Sequence, residues 1–208
     1  MQNLTLPTRA FNVVNKAIEL FHYHGFHLVG IDRLASESEI TKMTFYRYFH
    51  SKERFIEICL IVQKERLQEK VVSMVWFKQA ALQGDASAQI NLGLMYQNGE
   101  GADKNVDKAF FWYKSAAAQN DFMAFYYLGT FYEEGISVKK DEKLAFDYYR
   151  KAALLEYGLG QYELARCYEY GIGTDKNMSK AIEWYGKAAQ RGSDEAIEKL
   201  KELESKKF

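Results

Sequence analysis

The sequence TKMTFYRYFHSKER, residues 41–54, decides how the first part of the chain folds. Thr41 is a good N-cap, so a helix is expected to begin directly after it. Phe45, Tyr48 and Phe49 are three and four residues apart, which predicts one buried helical face. The side chains left to point outward are Lys42, Met43, Tyr46 and Arg47. A short helix with basic and aromatic side chains on its outer face is typical of a DNA-recognition helix.

The flanking residues extend this pattern. Upstream, apolar residues at helical spacing predict an amphipathic helix over about residues 8–24. Gly30 can cap a short helix that carries Leu34, and Ser51 can cap a long helix after the recognition helix. In this order of helices, one helix enters the major groove of DNA while its neighbours contact the backbone.

The first third of the chain resembles the N-terminal domain of TetR-type transcriptional regulators. The matching segments are AIELF (17–21), GF (25–26), LA (34–35) and TFYRYFHSK (44–52). The resemblance implies a helix-turn-helix that binds double-stranded DNA. The family usually has small residues where this chain has Glu39 and Met43, which puts the operator sequence in doubt but not the groove-binding mode. Glu39 is expected at a left-handed turn position that glycine tolerates better.

The candidate DNA contacts surround the recognition helix. Arg47 and Met43 are the candidates for base edges, and Lys52 is the candidate phosphate contact at the start of the long helix. Arg33, on the short helix, is expected to face the DNA backbone. The complete set is Arg33, Thr41, Lys42, Met43, Thr44, Tyr46, Arg47 and Lys52.

The charge distribution allows nucleic-acid binding although the formal net charge of the chain is zero. Residues 1–70 hold 10 basic and 8 acidic side chains. Within residues 41–54, four basic side chains stand against Glu53 alone. A local excess at the docking helix is sufficient, because contacts to phosphates set the electrostatic part of the binding energy.

Beyond residue 84 the sequence repeats with a period of 36 residues and without insertions. A fixed period of this length predicts stacked helix pairs, each of which buries its apolar face only against its neighbours. Glycine at the end of each first helix supplies a left-handed C-cap. The repeated positions include Tyr96, Tyr132 and Tyr168; Gly99, Gly135 and Gly171; Ala109, Ala145 and Ala181; and Trp112, Tyr148 and Trp184.

The repeated pattern is A-x-x-x-L-G-x-x-Y-x-x-G-x-G followed by K-A-x-x-W-Y-x-x-A-A. It resembles the Sel-one-like repeat (SLR), a relative of the tetratricopeptide repeat. Trp76 stands 36 residues before Trp112, so a half-repeat begins inside the long helix. The rings at the repeated positions Tyr96, Tyr132, Tyr168, Trp112 and Trp184 are assigned to the core.

The predicted fold is all-α, with a TetR-like helix-turn-helix bundle followed by an α-solenoid of about three helix-pair repeats. The expected organisation is a DNA-binding domain (1–50), a long connecting helix with a half-repeat (51–84), three repeats (85–192), and a capping helix and tail (193–208).

The variable positions of the first helices are expected to line the inner, concave surface of the solenoid. They mix aromatic, arginine and acidic side chains, a composition typical of contacts with a protein or peptide. The candidate partner-binding residues are Ile90, Leu94, Met123, Tyr126, Tyr162, Arg166 and Tyr170. A merely solvated groove is the alternative, since every repeat protein has such a face.

The sequence lacks the marks of several other classes. No catalytic triad, phosphate-binding loop or metal-ligand spacing is present, so we expect neither an enzyme nor a cofactor. His22, His24 and His27 are close in sequence, but no thiol or carboxylate joins them, and we expect no metal there. Cys59 and Cys167 are expected to be buried thiols. No membrane span or signal peptide is evident, so we expect a cytoplasmic protein.

These observations predict a sequence-specific transcriptional regulator, most simply a repressor. Reading a palindromic operator with half-sites about 34 Å apart requires two recognition helices, which predicts a homodimer. One alternative is an adaptor whose repeats carry the main function and whose DNA binding is weak or vestigial. The other is a repressor that responds to a small apolar ligand.

Overall fold

The computed structural model describes residues 6–24 and 29–205, without the side chains of residues 22–24. In this part of the chain it has eleven helices and no strand, which confirms the predicted all-α fold. The chain divides into two compact units, residues 1–70 and 71–208.

The first unit holds the predicted helix-turn-helix. Its helices are α1 (Thr8–His24), α2 (Ile31–Glu37), α3 (Lys42–Phe49) and the start of α4 (Lys52–Leu82). Phe45, Phe49 and Phe55 form the centre of its core, with ring centroids 5.0, 4.8 and 4.6 Å apart. Burying a ring of this size contributes about 1.5–3 kcal/mol, so these three side chains fix α3 against α4.

The boundaries of α3 follow from its caps. The hydroxyl oxygen of Thr41 accepts a hydrogen bond of 3.1 Å from the backbone N–H of Thr44. Ser51 accepts one of 3.0 Å from the N–H of Arg54 and so begins α4. Glu39, in the turn between α2 and α3, has φ = 54°, which confirms the predicted left-handed position.

The second unit stacks three helix pairs and a final helix. The pairs are α5 (Ala86–Asn98) with α6 (Val106–Ala117), α7 (Phe122–Glu134) with α8 (Glu142–Leu154), and α9 (Gly158–Tyr170) with α10 (Met178–Gln190). The last helix is α11 (Asp194–Ser205). The end of α4 belongs to this unit, since its Met74 and Ala81 lie in one core cluster with Leu92.

Glycine is required at two kinds of position in the repeats. Gly99, which ends α5, has φ = 75°, and the equivalent residues of the next two repeats have the same left-handed conformation. Gly93 and Gly129 lie inside helices, where a Cβ atom would stand 2.5 Å from the ring of Tyr113 or Tyr149. In the first two pairs the absence of a side chain therefore lets the second helix approach the first.

The rings in the centre of the repeats are not all those that the sequence indicated. The side chains of Tyr113, Tyr149 and Tyr185 are 0%, 1% and 0% exposed. Trp112 and Trp184, one residue earlier on each helix, are only half-buried against the core. Their assignment to the core was therefore too strong, as it was for Tyr132 and Tyr168, which are half-buried. Tyr96 is buried as predicted.

Candidate DNA-binding surface and inner face of the repeats

The outer face of α3 presents the predicted DNA-contacting side chains to solvent. Met43 is 82% exposed and Tyr46 is 45% exposed, whereas Phe45, between them in sequence, is fully buried. Arg47 is also exposed, and its guanidinium lies 5.6 Å from the ring centroid of Tyr48. The free N-terminal N–H groups of α3 lie next to these side chains and favour an anion such as phosphate.

Two of the candidate cations are paired inside the helix-turn-helix. Lys42 lies 2.5 Å from a carboxylate oxygen of Asp32 on α2. Arg33 lies 2.9 Å from Glu37, one helical turn away. These pairs are exposed and therefore weak, so they are exchangeable for contacts with phosphate.

The eight candidate DNA-binding residues lie on α2 (Arg33), at the N-cap of α3 (Thr41), on α3, and at the first position of α4 (Lys52). Seven of them are exposed, and Thr44 is half-buried with its hydroxyl 3.0 Å from that of Thr41. This placement leaves their contact with DNA a prediction. Residues 6–24 and 29–205 contain no helix long and apolar enough to cross a membrane.

The described residues offer no group of three or more His, Cys, Asp or Glu side chains that could hold a metal ion. His27 and the side chains of His22 and His24 lie outside the described part of the chain. Cys59 and Cys167 are buried free thiols, as predicted. Burial raises the pKa of each to about 12, so neither forms a reactive thiolate at neutral pH.

The predicted partner-binding residues differ in exposure. Tyr170 is 50% exposed, and five others are half-buried: Leu94, Met123, Tyr126, Tyr162 and Arg166. Ile90 is a wrong prediction, because its side chain is 1% exposed. It lies in the same core cluster as Met74 and Ala81 of α4. The first helices adjoin along this face, where α7 contacts α9.

A tyrosine of each second helix is bonded to a polar side chain of the first helix. The hydroxyl of Tyr149 donates to a carboxylate oxygen of Glu133 at 2.8 Å, and Tyr185 donates to Glu169 at 2.7 Å. In the first repeat Tyr113 donates to the amide oxygen of Gln97 at 2.7 Å. These pairs were not predicted from the sequence, although both partners recur every 36 residues and are always 16 residues apart.

Arg166 connects two repeats on the inner face. Its guanidinium donates to Glu133 of α7 at 2.7 Å and to Glu163 of its own helix at 2.6 Å. Burial raises the pKa of Glu163, the charge and hydrogen bond of Arg166 lower it, and repulsion by Glu133 raises it again, with a net rise. Burial disfavours the charged form of Arg166, but its bonds to the two carboxylates raise its pKa overall.

Lys199 of α11 makes a similar contact at the end of the inner face. Its ammonium lies 3.1 Å from a carboxylate oxygen of Glu169 and 3.1 Å from the hydroxyl of Tyr170. The hydrogen bond to Tyr170 is the largest of the effects that raise the pKa of Lys199. The final helix therefore closes the row of polar side chains with a cation.

The second unit matches a known repeat family. Residues 70–85, 86–121, 123–157 and 158–193 each match the Sel1 repeat, and together they make up more than half of the chain. The chain belongs to the Sel1 repeat family. Residues 13–58 match bacterial regulatory proteins of the tetR family. The resemblance to both families, predicted from the sequence, is therefore confirmed.

Solved Sel1 repeat structures are similar to this chain. One is the crystal structure of a Sel1 repeat protein from Oxalobacter formigenes, with 41% identity and a TM-score of 0.57, covering 62% of this chain and 96% of that one. Another is a protective antigen of uropathogenic Escherichia coli that displays an SLR fold. It has 32% identity and a TM-score of 0.59, over 63% of this chain and 28% of that one. No curated protein matches the sequence. The two families indicate a DNA-binding regulator with repeats suited to protein interaction.

Proposed function

We propose that this Sel1 repeat protein is a sequence-specific transcriptional repressor that acts in the cytoplasm and is not an enzyme. The helix-turn-helix binds a palindromic operator, and the repeats bind a protein partner. The observation that carries the proposal is the outer face of α3, where Met43 and Tyr46 are exposed between two cations, Lys42 and Arg47. Such a face has both phosphate-binding and base-reading side chains.

Each side chain has a distinct part in this proposal. Met43 and Arg47 meet base edges in the major groove, where an apolar group contacts a thymine methyl and a guanidinium contacts guanine. Lys52, exposed at the first position of α4, binds phosphate. Lys42 leaves Asp32 for a phosphate oxygen when DNA binds, because the exposed pair is worth only about 0–1 kcal/mol. The operator affinity therefore falls steeply as salt rises.

A homodimer is part of the proposal, and an exposed apolar face near the end of α4 supports it. Trp76 is 68% exposed, whereas its equivalents Trp112 and Trp184 are half-buried. In a complete repeat the second helix packs against a first helix. The half-repeat in α4 lacks a first helix of its own. The positions at which the repeat frame would place that helix, residues 52–62, belong to α4 itself. We propose that the same face of a second copy covers Trp76.

Selection from random duplex DNA tests the proposed function. The full chain, at near-physiological salt, is expected to enrich a palindromic sequence. A variant with Lys42→Ala and Tyr46→Ala is expected to lose the enrichment, whereas Lys64→Ala, an equal charge change at an exposed position of α4, is expected to keep it. Absence of any enriched sequence with the unaltered chain would favour an adaptor with vestigial DNA binding.

The cleft beside Tyr132 does not support the small-ligand alternative. It is lined by Lys139, Lys140, Asp141 and Glu142. These charged side chains suit neither an apolar effector nor the usual apolar lining of a small-molecule site. We therefore assign regulation to a protein partner.

A further inference from the structure

We infer that the inner face between α7 and α9 binds a basic side chain, lysine or arginine, of a protein partner. The inference rests on the proposed protein-binding function of the repeats and adds the chemistry of the partner. The site consists of Tyr126 on α7, Tyr157 directly before α9, and Glu163 on α9. We call these three side chains the aromatic recess.

The two tyrosines form adjoining walls. Their ring centroids are 5.6 Å apart with the planes at 76°, and Phe122 supports Tyr157 from a centroid distance of 5.0 Å. Both tyrosines are half-buried, so part of each ring is open to a ligand. Burial and then the nearby charge of Glu163 raise the pKa of Tyr126 to about 12, which keeps its hydroxyl protonated. A cation over these rings would be attracted to their negative faces.

The carboxylate of Glu163 in the recess and that of the neighbouring Glu133 are only partly neutralised. Glu133 and Glu163 share one guanidinium, that of Arg166, which leaves one negative charge in excess among the three. Their side chains are 18%, 19% and 27% exposed, so this charge lies in a poorly hydrated place. A second cation would compensate it. An anionic ligand would be repelled, and an apolar ligand would remove water from the carboxylates without replacing it.

A comparable contact between a lysine, a tyrosine and a glutamate already exists within the chain, between α9 and α11. Lys199 is 36 residues after Glu163. Its ammonium lies 5.6 Å from the ring centroid of Tyr170 and 3.1 Å from Glu169. A lysine bound between a tyrosine and a glutamate therefore already occurs on this face. The aromatic recess offers comparable groups, and Glu163 with the neighbouring Glu133 outnumbers the single cation Arg166.

Tyr157 provides independent support, because it occupies a helix-capping position without capping. The equivalent residues Asp85, Asp121 and Ser193 each accept a hydrogen bond from a backbone N–H of the helix that follows. Tyr157 stands at the N-cap of α9 and makes no side-chain cap hydrogen bond. Helix α9 therefore lacks the stabilising side-chain cap, and the residue at its N-cap position, Tyr157, lines the recess instead. Departures from local preference of this kind are expected at functional positions.

A library of random peptides displayed on phage, selected on the full chain, tests the inference. Enriched peptides are expected to share a lysine or arginine beside an apolar residue. Replacing that basic residue by glutamine in a synthetic peptide is expected to weaken binding about tenfold or more, as loss of a cation–π contact and an ion pair implies. Isothermal titration calorimetry gives the affinities.

Two variants of the chain connect the binding to the recess. Tyr157→Ser removes a wall of the recess and introduces a capping residue, and Glu163→Gln removes a charge. Each is expected to weaken the enriched peptide about tenfold. Glu183→Gln, at an exposed position of α10, is expected to bind it unchanged. Circular dichroism checks that each variant is folded. If Tyr157→Ser does not fold, the peptide affinity of Glu163→Gln alone tests the recess.

The inference is overturned if no peptide is enriched, if the enriched peptides lack basic residues, or if both variants bind as the unaltered chain does. The DNA selection is read on the same preparation and depends on α3. Peptide binding without an operator would therefore contradict the proposed repressor and leave the recess in place. An enriched operator without peptide binding would contradict the recess and leave the proposed repressor in place.

Discussion

The hydroxyl of Tyr149 on α8 donates a hydrogen bond of 2.8 Å to a carboxylate oxygen of Glu133 on α7, on the inner face. The side chain of Tyr149 is otherwise buried, with 1% exposure. The bond fixes the polar end of the largest buried side chain of the second repeat. Through Arg166 it also connects α8 with α9 of the next repeat. The same tyrosine in the first repeat, Tyr113, meets the neutral amide of Gln97 instead.

We therefore predict that Tyr149→Phe is more destabilising than Tyr113→Phe. A hydrogen bond to a charged acceptor is worth about 1.5–3 kcal/mol and one to a neutral acceptor about 0.5–1.5 kcal/mol. Urea unfolding of the two variants measures the difference. An equal loss, or a larger loss for Tyr113→Phe, would contradict the role given to Glu133.

Gly129→Ala is predicted to lower the free energy of unfolding by about 1–3 kcal/mol, the usual cost of overpacking a core. The reason is the distance of 2.5 Å between the added Cβ atom and the ring of Tyr149. The third repeat has Ala165 at this position, and Ala165→Gly measures helix propensity together with the loss of one buried methyl group. Thermal denaturation shows the effect. A fully stable Gly129→Ala variant would mean that the ring can shift at no cost.

Glu39→Gly is predicted to stabilise the first unit by about 1 kcal/mol, because a left-handed conformation costs a side-chain-bearing residue about 1–2 kcal/mol. Glu39 has φ = 54° in the turn before α3. Glu39→Ala removes the same charge but keeps the strain, so it separates the two effects. Both variants are expected to bind non-specific duplex DNA more tightly in fluorescence anisotropy. If Glu39→Ala stabilises the chain as much as Glu39→Gly, strain is not the cause.

Trp76→Glu is predicted to shift the chain from dimer to monomer. The substitution places a charge in the apolar face that we assign to the contact between two copies, and a buried unpaired charge is strongly unfavourable. Phe111→Glu is the control, since Phe111 of α6 is 60% exposed but lies outside that face. Sedimentation velocity over a range of concentrations gives the mass. A monomeric unaltered chain, or a dimer that tolerates Trp76→Glu, would exclude this contact.

Much of the fold was predictable because local rules and periodicity agree. The caps Thr41 and Ser51, the strained turn at Glu39 and the left-handed Gly99 each follow from the preferences of single residues. The period of 36 residues predicted the helix pairs. Agreement between such levels is what allows a sequence to specify one fold.

The details of the inner face were less predictable. Periodicity identifies equivalent positions, but neighbouring residues on a helix differ by only about 100° in direction, so it did not show that Tyr113 and not Trp112 fills the centre. Ile90 is buried in a core cluster that includes residues of α4, and the repeat register alone does not predict this neighbour. The pairing of Arg166 with Glu133 joins two repeats, and only a three-dimensional structure brings them together. One available signal was overlooked, the tyrosine at position 157 in a series of capping residues.

One ratio of affinities shows whether α3 reads a DNA sequence. The affinity for the selected duplex is divided by the affinity for a scrambled duplex of equal composition, at near-physiological salt. We predict a ratio of about 10³ or more for the unaltered chain. For the variant with Lys42→Ala and Tyr46→Ala we predict a ratio close to one. A ratio close to one for the unaltered chain, or a high ratio that survives both substitutions, would contradict sequence reading by α3.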